Sequence, residues 1–336
     1  MHNQHLALYR KYRPQTFSDV VGQTNLVDLL QASITQKKIS HAYLFCGGRG
    51  TGKTTVARIF ARDIGCNPED IIEIDAASNR GIDEIRELRE AVRTAPFSSP
   101  YKVYIVDEAH MLTKDAANAL LKTLEEPPSH VIFILATTDP EKLPQTIVSR
   151  CQKIIFHAPD IETLAKRLSY VAEKEGKPID EKTANLIASH GKGSYRDALG
   201  VLEQIITASD QVVTFEFVHA YLGVTDKETL YTLLESICKH DSSSLQNVLA
   251  SLEVSHMIPL RAYDDITELF RRGLLARIGK HTDDERLSAL AKEYPLVVGS
   301  KTILQLLTNR HLLEVSTVSS WAAFQAIVIG LVEEKE

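Results

Sequence analysis

The 336 residues contain four cysteines, three methionines and one tryptophan. Cys46, Cys66, Cys151 and Cys238 stand far apart and make no C-x-x-C pair. Four scattered cysteines in a chain this long read as reduced, mostly buried thiols of a cytosolic protein rather than as a disulfide framework. No long apolar run occurs. The most apolar stretch, WAAFQAIVIGLV at 321–332, is too short to span a bilayer and reads as a buried helix. The opening MHNQHLALYRKYRP lacks the apolar core of a signal peptide, so a cytoplasmic location without a membrane partner is expected. Basic charge is not in excess either: 38 Lys and Arg against 44 Asp and Glu give a net charge of −6. The surface as a whole is therefore no magnet for nucleic acid, and any basic face must be local. What remains is ordinary soluble composition, 44% hydrophobic and 24% charged, with room for two or three domains.

Against that plain background one stretch stands out, GGRGTGKT at 47–54. Gly47, Gly52, Lys53 and Thr54 satisfy G-x-x-x-x-G-K-[ST], and each type has a physical task. The glycines let the backbone turn so that its N–H groups face inward onto phosphate oxygens. Lys53 can reach the β- and γ-phosphates, and the Thr54 hydroxyl can hold Mg²⁺. AYLFC at 42–46 reads as a buried strand before the loop, and Val56, Ala57, Ile59 and Phe60 have helical spacing after it. Phosphates would then rest on a helix N-terminus. The predicted nucleotide-binding residues are thus Gly47, Gly48, Arg49, Gly50, Thr51, Gly52, Lys53, Thr54 and Thr55. Upstream, Tyr12, Arg13, Pro14 and Val21, with Phe17, are candidates for the purine side, although a Tyr and a Phe taken alone are more often core anchors than a base pocket.

The rest of the first half alternates strand and helix. A helix is expected over 24–38, a strand at 71–74 (IIEI), an amphipathic helix over 82–95, and a strand at 103–108 (VYIVDE). Such a strand delivers carboxylates at its C-terminal end. Asp107 is suited to Mg²⁺ through water and Glu108 to orienting or deprotonating an attacking water. A helix over 114–125 must end at Pro127-Pro128. VIFILATT at 131–138 is a fourth strand, whose tip, with Thr137 and Thr138, should lie between the strands carrying the phosphate loop and the acids. KIIFHAP at 153–159 is a fifth. Repeated strand–helix units predict an α/β fold, a parallel five-stranded sheet with helices on both faces. From Asp160 the pattern is helical throughout, with connecting loops expected at 239–244 and 280–285.

GGRGTGKTT, VDEAHML, ALLKTLEEPP, LATTDPEKLP, Ser149-Arg150-Cys151 and GSYRDAL at 193–199 follow one another in a single order. Together they resemble the gamma/tau subunits of the bacterial DNA polymerase III clamp loader, AAA+ ATPases, closely over 8–222 and by position and helical character beyond. The resemblance implies a nucleotide-binding domain at 1–159, an all-α lid at 160–223 and an all-α oligomerisation collar at 224–336. It implies ATP with Mg²⁺, a pentamer of clamp-loader subunits joined through the collar, a sliding clamp and primer–template DNA as partners. It makes Thr138 the first sensor, Arg196 the second sensor on the lid, and Arg150 an arginine finger completing a neighbour's site. With Lys53, Asp107 and Glu108, these form the expected catalytic set.

Two departures matter. Family members commonly carry a four-cysteine zinc module where this chain has only GCNPED. One thiol cannot build a tetrahedral zinc site, so no zinc is expected. The chain also stops near the collar's end, so the tail of the longer family form is expected to be absent. Arg80, Arg86, Arg89 and Arg93 are candidate DNA or clamp contacts, with a solvated helix face interleaved by Glu84, Glu87 and Glu90 as the alternative. Two other functions compete. A non-hydrolysing scaffold would predict a broken loop or a missing acid. A helicase or branch-migration motor shares the string Asp107-Glu108-Ala109-His110 but not the Ser-Arg-Cys triplet with the lid motif.

Overall fold

The computed structural model describes residues 6–78, 88, 90–209, 212–254, 257–279, 284–315 and 319–333. Arg80, Arg86, Arg89, Glu84, Glu87 and most of the helix expected over 82–95 lie outside the described residues. The chain divides into two compact units, Met1–Val218 and His219–Glu336.

The first unit is built on five strands: β1 (Ala42–Cys46), β2 (Ile71–Asp75), β3 (Lys102–Asp107), β4 (Val131–Thr137) and β5 (Gln152–Ile155). They lie in the order β2-β3-β4-β1-β5, and every pairing is parallel. Alternate residues of each strand point to opposite faces. Tyr43, Phe45, Ile105 and Ile134 therefore join one core with Leu30 of α2 (Thr24–Thr35) and Phe60 of α3 (Lys53–Asp63). Leu44, Val106, Phe133 and Leu135 join a second core with Leu120 of α4 (Lys114–Glu125) and Ile147 of α5 (Gln145–Val148). The short helix preceding these in sequence is α1 (Leu8–Lys11), which makes α2 the second helix. Because both faces are covered, the three inner strands β3, β4 and β1 read as apolar runs, while the edge strands β2 and β5 carry Glu73, Gln152 and Lys153. Each such side chain taken from water contributes roughly 1.5–3 kcal/mol.

The register aligns Asp75 with Asp107 and Cys46 with Thr137. All strands thus end at one edge, where a parallel sheet places its ligand site. The tip of β4 lies between β3 and β1, as expected. Three further helices follow, each capped by the side chain preceding it: α6 (Ile161–Lys174) by Asp160, α7 (Glu181–His190) by Asp180 and α8 (Tyr195–Ala208) by Ser194. α9 spans Phe215–Tyr221.

Element limits differ from the sequence expectation, and four of the differences have a visible local cause. β3 stops at Asp107 because Glu108 takes a left-handed backbone, φ 48°. β5 covers 152–155, not 153–159; Phe156 N–H still bonds Cys46 O at 2.7 Å, and the chain then departs before Pro159. α2 stops at Thr35 and the chain turns at Lys37, φ 54°. The loop expected over 239–244 shortens, because Asp241 accepts the Ser243 and Ser244 N–H groups and starts a helix at Ser242.

The second unit is helical: α10 (Lys227–Cys238), α11 (Ser242–Val254), α12 (Pro259–Arg277), α13 (Glu285–Glu293), α14 (Ser300–Asn309), α15 (Leu312–Val315) and α16 (Ser320–Glu333). Asp226 and Asp284 cap α10 and α13, and Pro259 opens α12, where its missing N–H costs nothing. The apolar stretch 321–332 is a helix, as expected, but it is buried on one face only. Phe324, Ile327, Val328, Leu331 and Val332 are buried, with Phe324 edge-on to Tyr263, whereas Ala322, Ala326 and Ile329 are exposed. Among the described residues no helix is long and apolar enough to cross a membrane.

Candidate nucleotide site

The phosphate loop leaves β1 and enters α3. Gly52 takes φ 103°, which a side chain would strain, and this turn starts the helix at Lys53. Thr51 O–H closes the loop onto Gly48 O at 2.9 Å, and the buried Lys53 ammonium donates to Gly47 O and Gly48 O at 2.8 Å each. Burial pulls the Lys53 pKa below the ordinary lysine value, while Glu108 and Asp107 push the other way. The start of the loop is tied to β4 by Gly47 N–H on Thr137 O at 3.2 Å.

At the end of β3, Asp107 Oδ2 accepts the Thr54 hydroxyl at 2.8 Å and Oδ1 accepts the Glu108 N–H at 3.0 Å. The left-handed turn at Glu108 costs of order 1–3 kcal/mol in a side-chain-bearing residue. It swings the Glu108 carboxylate out of the strand's alternation and into the cleft wall. Thr138 O–H donates to Glu108 Oε2 at 3.1 Å. His110 Nδ1 lies 3.0 Å from Thr137 Oγ1 and 3.5 Å from the same Glu108 Oε2.

The cleft over the loop has a volume of about 360 Å³. Arg49, Gly50, Thr51, Gly52, Lys53, Thr54 and Thr55 form its floor, with Asp107 and Glu108 at one end. Tyr12, Arg13, Pro14 and Val21 line it from the opening segment, and the exposed Arg196 from α8. Arg13 is half-buried; burial and the nearby Arg58 and Arg196 lower its pKa. Gly47, Gly48, Thr138 and Arg150 are not in the wall. Phe17 is buried in the core, 3% exposed, and faces no cleft. Arg150 follows the short helix α5, donating back to Thr146 O at 2.7 Å and pairing with Glu125 at 2.5 Å.

Sequence reasoning overlooked Tyr9, Asp75, Arg167 and Tyr195, all in the wall. Tyr195 was findable, since it adjoins Arg196 in the lid motif. Its N–H bonds Gly50 O at 3.0 Å and its hydroxyl donates to Val21 O at 2.7 Å. Burial raises its pKa to about 12, so it stays a donor. Tyr9 and Arg167 belong to no phosphate motif and carried no signal.

Thr54 and Asp107 offer hard oxygen donors side by side at the cleft, the chemistry Mg²⁺ selects. A parallel sheet in this order, a phosphate loop after β1, an acidic pair at the end of β3 with β4 between the two, and a helical lid define a P-loop nucleotide-binding protein of the AAA+ class. Solved structures agree at the level of fold: the Thermotoga maritima RuvB Holliday junction branch migration motor superposes with a TM-score of 0.53 at 21% identity, over 67% of this chain and 79% of that one. The chain belongs to the family of DNA polymerase III gamma/tau clamp-loader subunits.

Residues 22–80 and 68–160 match the family model described as DNA polymerase III, delta subunit. Residues 163–211 match that of the DNA polymerase III clamp loader subunit, ATPase lid domain. The DNA polymerase III subunit tau of Bacillus subtilis is 40% identical over 318 residues, covering 86% of this chain and 56% of that protein. Subunit gamma of Buchnera aphidicola is 38% identical over 271 residues, 74% of this chain and 75% of that protein. Subunit gamma/tau of Mycobacterium tuberculosis is 40% identical over 290 residues, 79% and 50%. The chain spans about half the length of these tau and gamma/tau relatives.

Proposed function

We propose that the chain is an ATP-hydrolysing clamp-loader subunit, which assembles with other subunits into a pentamer, opens a sliding clamp and places it on primer–template DNA. The observation that carries this reading is the Thr54–Asp107–Glu108–Thr138 chain of contacts at the end of the phosphate-loop cleft. In the proposed reaction a water oxygen attacks the γ-phosphorus and the bond from that phosphorus to the bridging oxygen breaks, giving ADP and phosphate. Glu108 takes the proton of the attacking water and passes it to the released phosphate. Lys53 and the loop N–H groups hold the transferring phosphate, and Thr138 fixes Glu108. Thr54 and Asp107 would hold Mg²⁺, which neutralises charge developing on the phosphate oxygens. Arg196 would contact ATP of its own subunit and Arg150 that of a neighbour. Tyr12, Arg13, Pro14 and Val21 would bound the base.

The domain limits proposed are 1–159 for nucleotide binding, 160–223 for the lid and 224–336 for the collar. No structural zinc is part of the proposal. Cys66 donates its Sγ–H to Tyr101 O, and burial raises its pKa to about 11, away from the thiolate that zinc requires.

The test is steady-state ATP hydrolysis by the purified chain, alone and with partner subunits, sliding clamp and primed DNA. A low rate that rises sharply only when clamp and primed DNA are both present supports the reading. A rate indifferent to clamp but raised by branched DNA would replace it with a motor. Binding of ATP without turnover in any mixture would leave a scaffold.

A further inference from the structure

We propose that His110, backed by Thr137, is a positioning residue that sets the Glu108 carboxylate for hydrolysis. The inference rests on Glu108 acting as the base. Glu108 needs an external hold, because its backbone is left-handed and its side chain is partly exposed, 31%. Two groups supply one on the same oxygen: the Thr138 hydroxyl at 3.1 Å and His110 Nδ1 at 3.5 Å from Oε2. Among the described residues Oε1 takes no hydrogen bond, which leaves that oxygen for water.

The imidazole is itself fixed. Its side chain is only 11% exposed, and Nδ1 lies 3.0 Å from Thr137 Oγ1. Thr137 is fully buried in β4, and its Oγ1 also accepts the Asp139 N–H at 3.0 Å. With the proton on Nδ1, that N–H is within hydrogen-bond distance of Thr137 Oγ1 at 3.0 Å, and the positive end of its dipole faces Glu108 Oε2 at 3.5 Å. In the other tautomer a nitrogen lone pair would face the carboxylate. His110 is therefore taken in the Nδ1–H form, with strand β4 as the reference against which Glu108 is held. A base must stand within hydrogen-bond reach of the water it deprotonates, so a loose carboxylate lowers turnover without touching nucleotide affinity.

The experiment measures kcat and KM for ATP in the assembled complex with clamp and primed DNA, alongside thermal melts of each variant. His110→Ala should lower kcat about 10- to 100-fold, the range seen when the group orienting a functional ligand is removed. KM and melting temperature should stay near wild type. His110→Asn, whose amide N–H can stand where Nδ1–H stood, should recover part of the loss. Thr137→Val should lower kcat in the same direction, and combining it with His110→Ala should cost less than the product of the two. The result that overturns the proposal is a His110→Ala kcat within twofold of wild type while Glu108→Gln has lost turnover. A fall in kcat matched by a fall in stability and unrescued by His110→Asn overturns it equally. If Glu108→Gln itself retains full turnover, it is the base assignment that fails, and this inference with it.

Discussion

The backbone N–H of Tyr195 donates to the carbonyl of Gly50 at 3.0 Å, fastening the first turn of α8 onto the phosphate loop. The fit is tight at that point. Gly50 takes φ 70°, and a Cβ there would fall 2.0 Å from Ser194 Oγ and 3.0 Å from Ser194 Cβ. Ser194 cannot simply rotate away, since its hydroxyl accepts the Asp197 N–H and caps the helix. Gly50→Ala must therefore push α8 off the loop and carry Arg196 with it. Overpacking of this kind costs about 1–3 kcal/mol. ATP affinity, measured by titration calorimetry, should weaken about tenfold or more. An unchanged affinity would mean that the contact is not kept when nucleotide binds.

Arg150 lies outside the cleft of its own chain and pairs with Glu125, with both side chains substantially exposed, 34% and 48%. Such a pair is worth at most about 1 kcal/mol. It cannot prevent the guanidinium from leaving for a neighbouring site. Arg150→Ala should leave ATP binding to the variant chain intact and reduce turnover at the adjoining subunit about 10³- to 10⁵-fold. Glu125→Ala should leave turnover of the complex within a few-fold of wild type. Full activity of a strictly monomeric chain, checked by sedimentation and hydrolysis together, would remove the argument for action in trans.

What the sequence made legible follows from how each feature is built. Strands buried on both faces, such as Val131–Thr137, announce themselves as apolar runs, and the phosphate loop is a local pattern of glycines with one lysine. Both needed only neighbours in sequence. Glu108 was legible as an acid but not as a residue outside its strand, because a single left-handed φ leaves no trace in composition. His110 stood in plain view within a known string of letters. Its partner Thr137 is 27 residues away, and only the β3–β4 pairing brings the two together. Tyr195 reaches Val21 across 174 residues, a contact no periodicity can encode.

Gly273 sits within α12, where glycine costs about 1 kcal/mol relative to alanine. Replacing it would look stabilising on propensity alone. A Cβ at this position, however, would lie 2.7 Å from Val298 Cγ1 and 3.4 Å from Leu287 Cδ1. Val298 is fully buried and β-branched, so it has no free rotamer to yield. The overpacking term of about 1–3 kcal/mol exceeds the helix gain. Gly273→Ala should lower the urea midpoint of the second unit, and a raised midpoint would show that Val298 can move after all.

Asp70, 1% exposed, holds the segment before β3 in place. Its Oδ1 accepts the Phe97 N–H at 2.6 Å and its Oδ2 the Ser98 N–H at 3.0 Å, while Asn67 bonds the Ser98 and Ser99 hydroxyls. Burial pushes the Asp70 pKa up, but these N–H donors and Ser99 outweigh it and hold the carboxyl below the usual range. The sign follows directly. A carboxyl with a depressed folded pKa stabilises the fold above its unfolded value, about 4, and loses that contribution as pH falls through the folded value. At pH 7, Asp70→Asn replaces a charged acceptor with a neutral one and leaves an N–H donor poorly paired, a loss of about 1.5–3 kcal/mol. Denaturant melts at neutral pH should show that gap between wild type and variant. Repeated as the pH is lowered below about 4, they should show the gap narrowing as the wild-type carboxylate takes up its proton. A gap that persists unchanged into acid would mean that shape rather than charge at position 70 secures the segment.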